Sequence, residues 1–121
     1  MKVISPHSAL YYHFCDLVVN HYRESREVQF YADQLNLTPR HFSKIIHKEI
    51  GISPAEWIEQ YIVTQAKLLI EIHPNLTLGE IAFMLGFSES TIFYRYFKRV
   101  TGTTAKQYRD SMSGRNKSKV S

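Results

Sequence analysis

The side chains in this sequence best suited to doing chemistry are cations set among aromatics. In FYRYFKRVTG, residues 93–102, Arg95, Lys98 and Arg99 alternate with Phe93, Tyr94, Tyr96 and Phe97, and the run stops at Gly102. In FSKIIHKEIG, residues 42–51, Lys44, His47 and Lys48 sit among Phe42, Ile45 and Ile46, and Gly51 ends the run. Side chains of this kind donate hydrogen bonds and carry positive charge. Their chemistry is binding to an anion, and above all to a polyanion that offers both phosphates and base edges.

A helical wheel at about 100° per residue sorts each run into two faces. In the later run Phe93, Tyr96, Phe97 and Val100 share one side. Thr91, Tyr94, Arg95 and Lys98 share the other, with Ser90 on its edge. In the earlier run Phe42, Ile45 and Ile46 point one way, and Arg40, Ser43, Lys44 and His47 the other. The apolar sides must face a core, so the cations face outward. Arg and Lys mixed with short hydroxyl side chains suit a major groove, where they meet guanine O6 and N7 and several other base edges. Lys48, Lys98 and Arg99 lie toward the helix C-termini, which suits phosphates better than bases.

Charge follows the same division. The chain has a net charge of +4. Residues 38–48 hold Arg40, Lys44 and Lys48 and no anion, and residues 88–121 hold 8 cations against 2 anions. Residues 49–87 hold 1 cation and 5 anions. Two separate basic segments, each containing one of the paired runs, suggest a polyanion as partner; for either segment taken alone, a solvated helix face is the alternative.

Other chemistries find little support. The six histidines form no metal-binding or catalytic motif, and no HExxH, CxxC, GxSxG or phosphate-loop pattern occurs. No metal, cofactor or catalysis is expected. Cys15 is the single cysteine, so no intrachain disulfide can form. No apolar run approaches the roughly 20 residues needed to span a membrane. One compact domain or two very small ones fit the 121 residues.

The elements that must position the cations read as helices throughout. A first helix is expected from about Ser8 to Arg23 and a short one near Gln29–Leu35, closed at Asn36. Thr38-Pro39 opens the first basic helix with a hydroxyl cap and a proline. Ser53-Pro54-Ala55-Glu56 is a capping box that starts a long helix from Pro54 to about Ile72. Thr77-Leu78-Gly79-Glu80 is a second capping box, leading into Ile81–Leu85 and Gly86. Ser88 is the expected cap of the second basic helix, and Thr103 or Thr104 that of a last helix ending near Met112. Two units emerge, each a short helix with an early alanine (Ala32, Ala82), a tight turn, and a basic helix ending in glycine. This is helix-turn-helix logic written twice. The long helix should measure roughly 28 Å. Successive major-groove faces on one side of B-DNA lie about 34 Å apart, so a single chain is expected to place two recognition helices in adjacent turns of one duplex.

At these residues the chain resembles the DNA-binding domain of the AraC-type (arabinose-operon regulator) family. The second unit carries the match through Ile81-Ala82, Gly86-Phe87, Phe93, Phe97-Lys98-Arg99, Gly102 and Tyr108-Arg109. The first unit matches more loosely through Ala32, Leu35, Thr38, Phe42, Lys48-Glu49, Gly51, Pro54 and Ala66. Ile62 stands where the family often has arginine, and Ala105 where proline is common. The resemblance implies an all-α fold of about seven helices with two helix-turn-helix subdomains. Residues 8–112 would form it, the first unit over 8–52, the linker helix over 54–72 and the second unit over 76–112. Residues 1–7 would be an N-terminal extension and residues 113–121 a disordered basic tail.

The resemblance further implies a sequence-specific transcription regulator, acting as an activator in a bacterial cytoplasm at the nucleoid. Base contacts would come from Arg40, Ser43, Lys44, Ser90, Thr91, Tyr94 and Arg95. Phosphate contacts would come from Thr38, His47, Lys48, Lys98 and Arg99. The implied partners are double-stranded promoter DNA and RNA polymerase, with no membrane. A sensing or dimerisation domain is expected outside this chain, and the fragment itself is expected to be a monomer. The competing expectation is a helical protein-interaction module without sequence-specific DNA binding.

Overall fold

A computed structural model describes residues 5–120 of the chain, and side chains over residues 5–113. Seven α-helices and no strand occur among the described residues: α1 (Pro6–His21), α2 (Val28–Gln34), α3 (Pro39–Ile50), α4 (Pro54–Ile72), α5 (Leu78–Met84), α6 (Ser90–Thr101) and α7 (Ala105–Val120). The chain divides into two units after Glu59, within α4.

In the first unit α1, α2 and α3 pack on one another around Phe14. Its ring meets Tyr31 at 5.9 Å, Phe42 at 5.0 Å and Trp57 at 5.2 Å between centroids, the first two edge to face. Such pairs add about 0.5–1.5 kcal/mol each beyond the burial of their apolar area. Val18, Tyr22, Ala32, Ile45, Ile46 and Ile58 are buried with it. Trp57 is half-buried, and its ring stands perpendicular to that of Tyr11 with centroids 6.4 Å apart.

In the second unit α6 packs between α5 and α7. Phe93 and Phe97 on α6 are buried with Ile81, Ala82, Leu85 and Phe87. Phe87 lies 5.3 Å from Phe93 and 5.3 Å from Tyr96. Ile62 and Ala66 of α4 are fully buried, as an apolar residue at position 62 requires.

The two turns are built alike. After α2, Asn36 takes φ 57° and the Leu37 N–H donates to Ala32 O at 2.9 Å. After α5, Gly86 takes φ 90° and the Phe87 N–H donates to Ala82 O at 3.0 Å. A left-handed residue is needed for the backbone to fold back on the helix it has just left, which is why asparagine and glycine stand there. The buried alanines, both 0% exposed, let the following helix approach closely.

Several boundaries depart from the sequence reading, each for a capping reason. The first helix begins at Pro6, because Ser5 accepts from the Ser8 N–H at 3.1 Å. The expected extension over residues 1–7 therefore contributes its last residues to α1, and residues 1–4 lie outside the described part. Helix α5 starts at Leu78, directly after its N-cap Thr77, whose capping box with Glu80 forms both reciprocal bonds. Ser88 does not cap α6. The helix starts at Ser90 with Glu89 as its N-cap and no side-chain bond, so Ser88 stands one residue too early for its hydroxyl to fill the capping position. Thr104 caps α7: its hydroxyl accepts from Gln107 N at 3.0 Å, and Gln107 Oε1 accepts from Thr104 N at 3.0 Å. Helix α7 runs to Val120, through residues 113–120 of the stretch expected as a disordered tail; Ser121 lies outside the described residues.

Candidate nucleic-acid interface

The two basic helices are matched in length and in how they end. Each has 12 residues, α3 over Pro39–Ile50 and α6 over Ser90–Thr101. Gly51 closes α3 at φ 82° with its N–H on His47 O at 2.8 Å. Gly102 closes α6 at φ 81° with its N–H on Lys98 O at 2.8 Å. Both put two cations in the last turn, His47 and Lys48 in α3 (the histidine when protonated) and Lys98 and Arg99 in α6, where the negative end of the helix dipole favours them.

Helix α3 buries Phe42, Ile45 and Ile46, which leaves Arg40, Lys44, His47 and Lys48 exposed and Ser43 half-buried between the two faces. Thr38 precedes the helix. It is exposed, and its hydroxyl accepts from His41 N at 3.2 Å. Glu49, the acidic residue of α3, lies on the side of the helix that carries Phe42, and its carboxylate accepts a hydrogen bond from the Ser8 hydroxyl of α1.

Helix α6 repeats the arrangement. Phe93 and Phe97 are buried, Thr91, Tyr94, Arg95, Lys98 and Arg99 are exposed, and Ser90 is half-buried. The Arg99 guanidinium lies 5.2 Å from the Tyr96 ring centroid, a cation–π placement that steadies it along the helix. Tyr94 does not stand straight out. Its hydroxyl comes within 4.0 Å of where a Cβ on Gly79 would be, so the ring leans toward the first turn of α5. There it forms one side of a groove of about 450 Å3, shared with Leu78, Thr104, Ala105 and Lys106.

Each unit thus assembles its own expected residues on one exposed helix face. In the first these are Arg40, Ser43, Lys44, His47 and Lys48, with Thr38 at the cap; in the second they are Ser90, Thr91, Tyr94, Arg95, Lys98 and Arg99. Lys106 was not among the expected residues, although it lines the same groove as Tyr94. The available signal was its place two residues after the Thr104 cap, at a solvent-facing position of the first turn of α7. Among the described residues no group of three or more His, Cys, Asp or Glu side chains could hold a metal ion, and no helix is long and apolar enough to cross a membrane.

Comparison with known proteins agrees with this geometry. A family model described as a helix-turn-helix domain matches residues 31–111. The arabinose operon regulatory protein of Salmonella typhimurium is 27% identical over 96 residues, which cover 78% of this chain and 34% of that protein. The chain spans about a third of the length of the curated relatives it matches. Among solved structures, the C-terminal domain of the two-component response regulator yesN from Fusobacterium nucleatum superposes with a TM-score of 0.75 at 27% identity, covering 84% of this chain and 99% of that one. The DNA-binding domain of the global transcriptional factor AdpA, solved with a target DNA, shares the fold with a TM-score of 0.73 at 23% identity, covering 86% and 93%. The paired turns, the matched basic helices and these relatives lead to one conclusion: the chain belongs to the helix-turn-helix family of AraC-type DNA-binding domains.

Proposed function

We propose that this chain is the DNA-reading part of a bacterial transcription regulator, and that α3 and α6 each enter a major groove, in successive turns of one duplex. The observation that carries the reading is the duplicated outward face: two helices of equal length, identically capped by a left-handed glycine, each presenting Arg and Lys beside hydroxyl side chains and burying its aromatic side. Arg40, Ser43 and Lys44, then Ser90, Thr91, Tyr94 and Arg95, are the proposed readers of base edges. Thr38, His47, Lys48, Lys98 and Arg99 are proposed to hold phosphates. Helix α4 runs without a break for 19 residues, which suits a single chain that reads about two turns.

The activity proposed is binding alone, with no chemical step. Activation of transcription through RNA polymerase, a cytoplasmic setting, a monomeric state for the fragment and a separate sensing or dimerisation domain complete the proposal. The names of relatives such as the lactose operon transcription activator of Staphylococcus xylosus support activation. The test is selection of bound duplexes from a random-sequence pool, followed by anisotropy titration of the winner against a scrambled duplex. The expected result is an enriched motif in two parts, about one helical turn apart, bound at least tenfold more tightly than the scramble. A pool that stays random through selection refutes sequence reading, and a single half-length motif refutes the two-groove arrangement.

A further inference from the structure

The groove beside Tyr94 draws its walls from three places in the second unit: Leu78 from the first turn of α5, Tyr94 from the middle of α6, and Thr104, Ala105 and Lys106 from the start of α7. Its lining is largely apolar. Ala105 is 2% exposed and Leu78 is half-buried, and the Tyr94 ring stands over them as a side wall. The Thr104 hydroxyl is occupied by the Gln107 N–H. Lys106 is exposed at the rim, and it is the one charged residue among the described lining. Because Tyr94 belongs to the exposed set of α6 with Thr91, Arg95 and Lys98, the groove opens beside the reading face.

An apolar floor, an aromatic wall and one ammonium at the edge match the two surfaces of a nucleotide backbone, the carbons of the deoxyribose and the anionic phosphate next to it. We propose that this groove is a sugar–phosphate subsite for the strand bordering the major groove read by α6, with Lys106 holding the phosphate and Tyr94 walling the sugar. The assignment rests on the DNA-binding reading above. It divides labour between neighbours and takes Tyr94 out of the base-reading set: Arg95 reads a base edge, while Tyr94 and Lys106 fix the depth and register of α6 without sequence preference. Lys67 provides a contrast within the same unit. Its ammonium lies 5.5 Å from the Tyr108 ring centroid, in a cavity lined by Phe97 and Thr101, away from the α6 residues that face outward.

The test uses the full chain, a duplex selected from a random pool and a mixed-sequence duplex, titrated by fluorescence anisotropy across a salt series. Lys106→Gln should weaken binding to both duplexes by the same factor. It should also make the log–log salt slope about 0.9 shallower, the signature of one lost phosphate contact. Lys106→Arg should restore the slope, and Lys67→Gln should leave it unchanged. Tyr94→Phe should preserve the preference for the selected duplex. A Lys106→Gln slope equal to wild type, a loss confined to the selected duplex, or an equal loss in Lys67→Gln overturns the subsite. A preference lost in Tyr94→Phe overturns the wall assignment. If the wild-type chain binds neither duplex, the DNA-binding reading falls first and the subsite with it; wild-type binding with an inert Lys106 removes the subsite alone.

Discussion

The same substitution, glycine to alanine, should change stability in opposite directions at two positions of the second unit. Gly102 sits at φ +81°, where a Cβ is strained against its own backbone whatever the surrounding space, and nothing lies within 4 Å of that Cβ. The left-handed conformation costs an L-residue about 1–2 kcal/mol. The lower entropy of an unfolded alanine returns about 0.4–1 kcal/mol. A net loss of about 1 kcal/mol is expected for Gly102→Ala. Gly79 lies in the first turn of α5 without a left-handed φ, and its Cβ would meet Thr77 Oγ1 at 3.8 Å, the Ser90 Cβ at 3.9 Å and the Tyr94 hydroxyl at 4.0 Å. Those are ordinary contacts, so Gly79→Ala should stabilise by about 0.5 kcal/mol through the unfolded state. Because both residues belong to one unit, both changes should be read on one unfolding transition. A difference of about 1.5 kcal/mol corresponds to roughly 6 °C in Tm at this chain length. Thermal melting followed by circular dichroism, with urea titration as a check, measures it. Gly51 at φ +82°, also with nothing within 4 Å, is the matched control in the first unit and should lose as much as Gly102. A Gly79→Ala protein melting below wild type, or a Gly102→Ala protein melting with it, would refute the reasoning.

Other outcomes can be stated as directly. Arg95→Ala should cost about 1–3 kcal/mol on a selected duplex and far less on a mixed one; equal losses on both would make Arg95 a phosphate contact. If the two faces neutralise about 6–8 phosphates, the log–log salt slope of wild-type binding should fall near −5 to −7, and a nearly flat titration would sink the two-helix interface. Burial, with a smaller contribution from the Glu24 charge, pushes the Tyr31 hydroxyl up to about 12. Its neutral form, donating to Ser25 O at 2.8 Å, is the one that the fold holds. The corresponding stability is present below pH 10 and drains away as pH rises from 10 through 12, when unfolded tyrosine ionises first. Tyr31→Phe should flatten that alkaline decline in a urea series taken at stepped pH; an unchanged decline excludes Tyr31 as its source.

Where the sequence reading succeeded, the governing interactions were short in range. Thr38, Thr77 and Thr104 cap their helices through bonds to residues three positions away, and Asn36, Gly51, Gly86 and Gly102 take the left-handed conformations their residue types favour. The burial of Phe42, Ile45, Ile46, Phe93 and Phe97 follows from spacing on a wheel. Where the reading slipped, the deciding partner was elsewhere or the signal was one residue out of phase. Ser88 is a good cap by type, but the turn after Gly86 is one residue longer than its counterpart after Asn36, so the helix begins beyond its reach.

By itself the sequence determined the helices, their ends, the duplication and the side of each basic helix that must face outward, because bonds across three to five residues and a repeat of about 3.6 are local properties. Only the tertiary structure decided that Glu49 meets Ser8 of α1, that Tyr94 leans over Gly79, and that Lys106 shares a groove with both Leu78 and Tyr94. Those meetings join residues far apart in the chain. They depend on how packed helices set the distance between their surfaces, which no local pattern specifies.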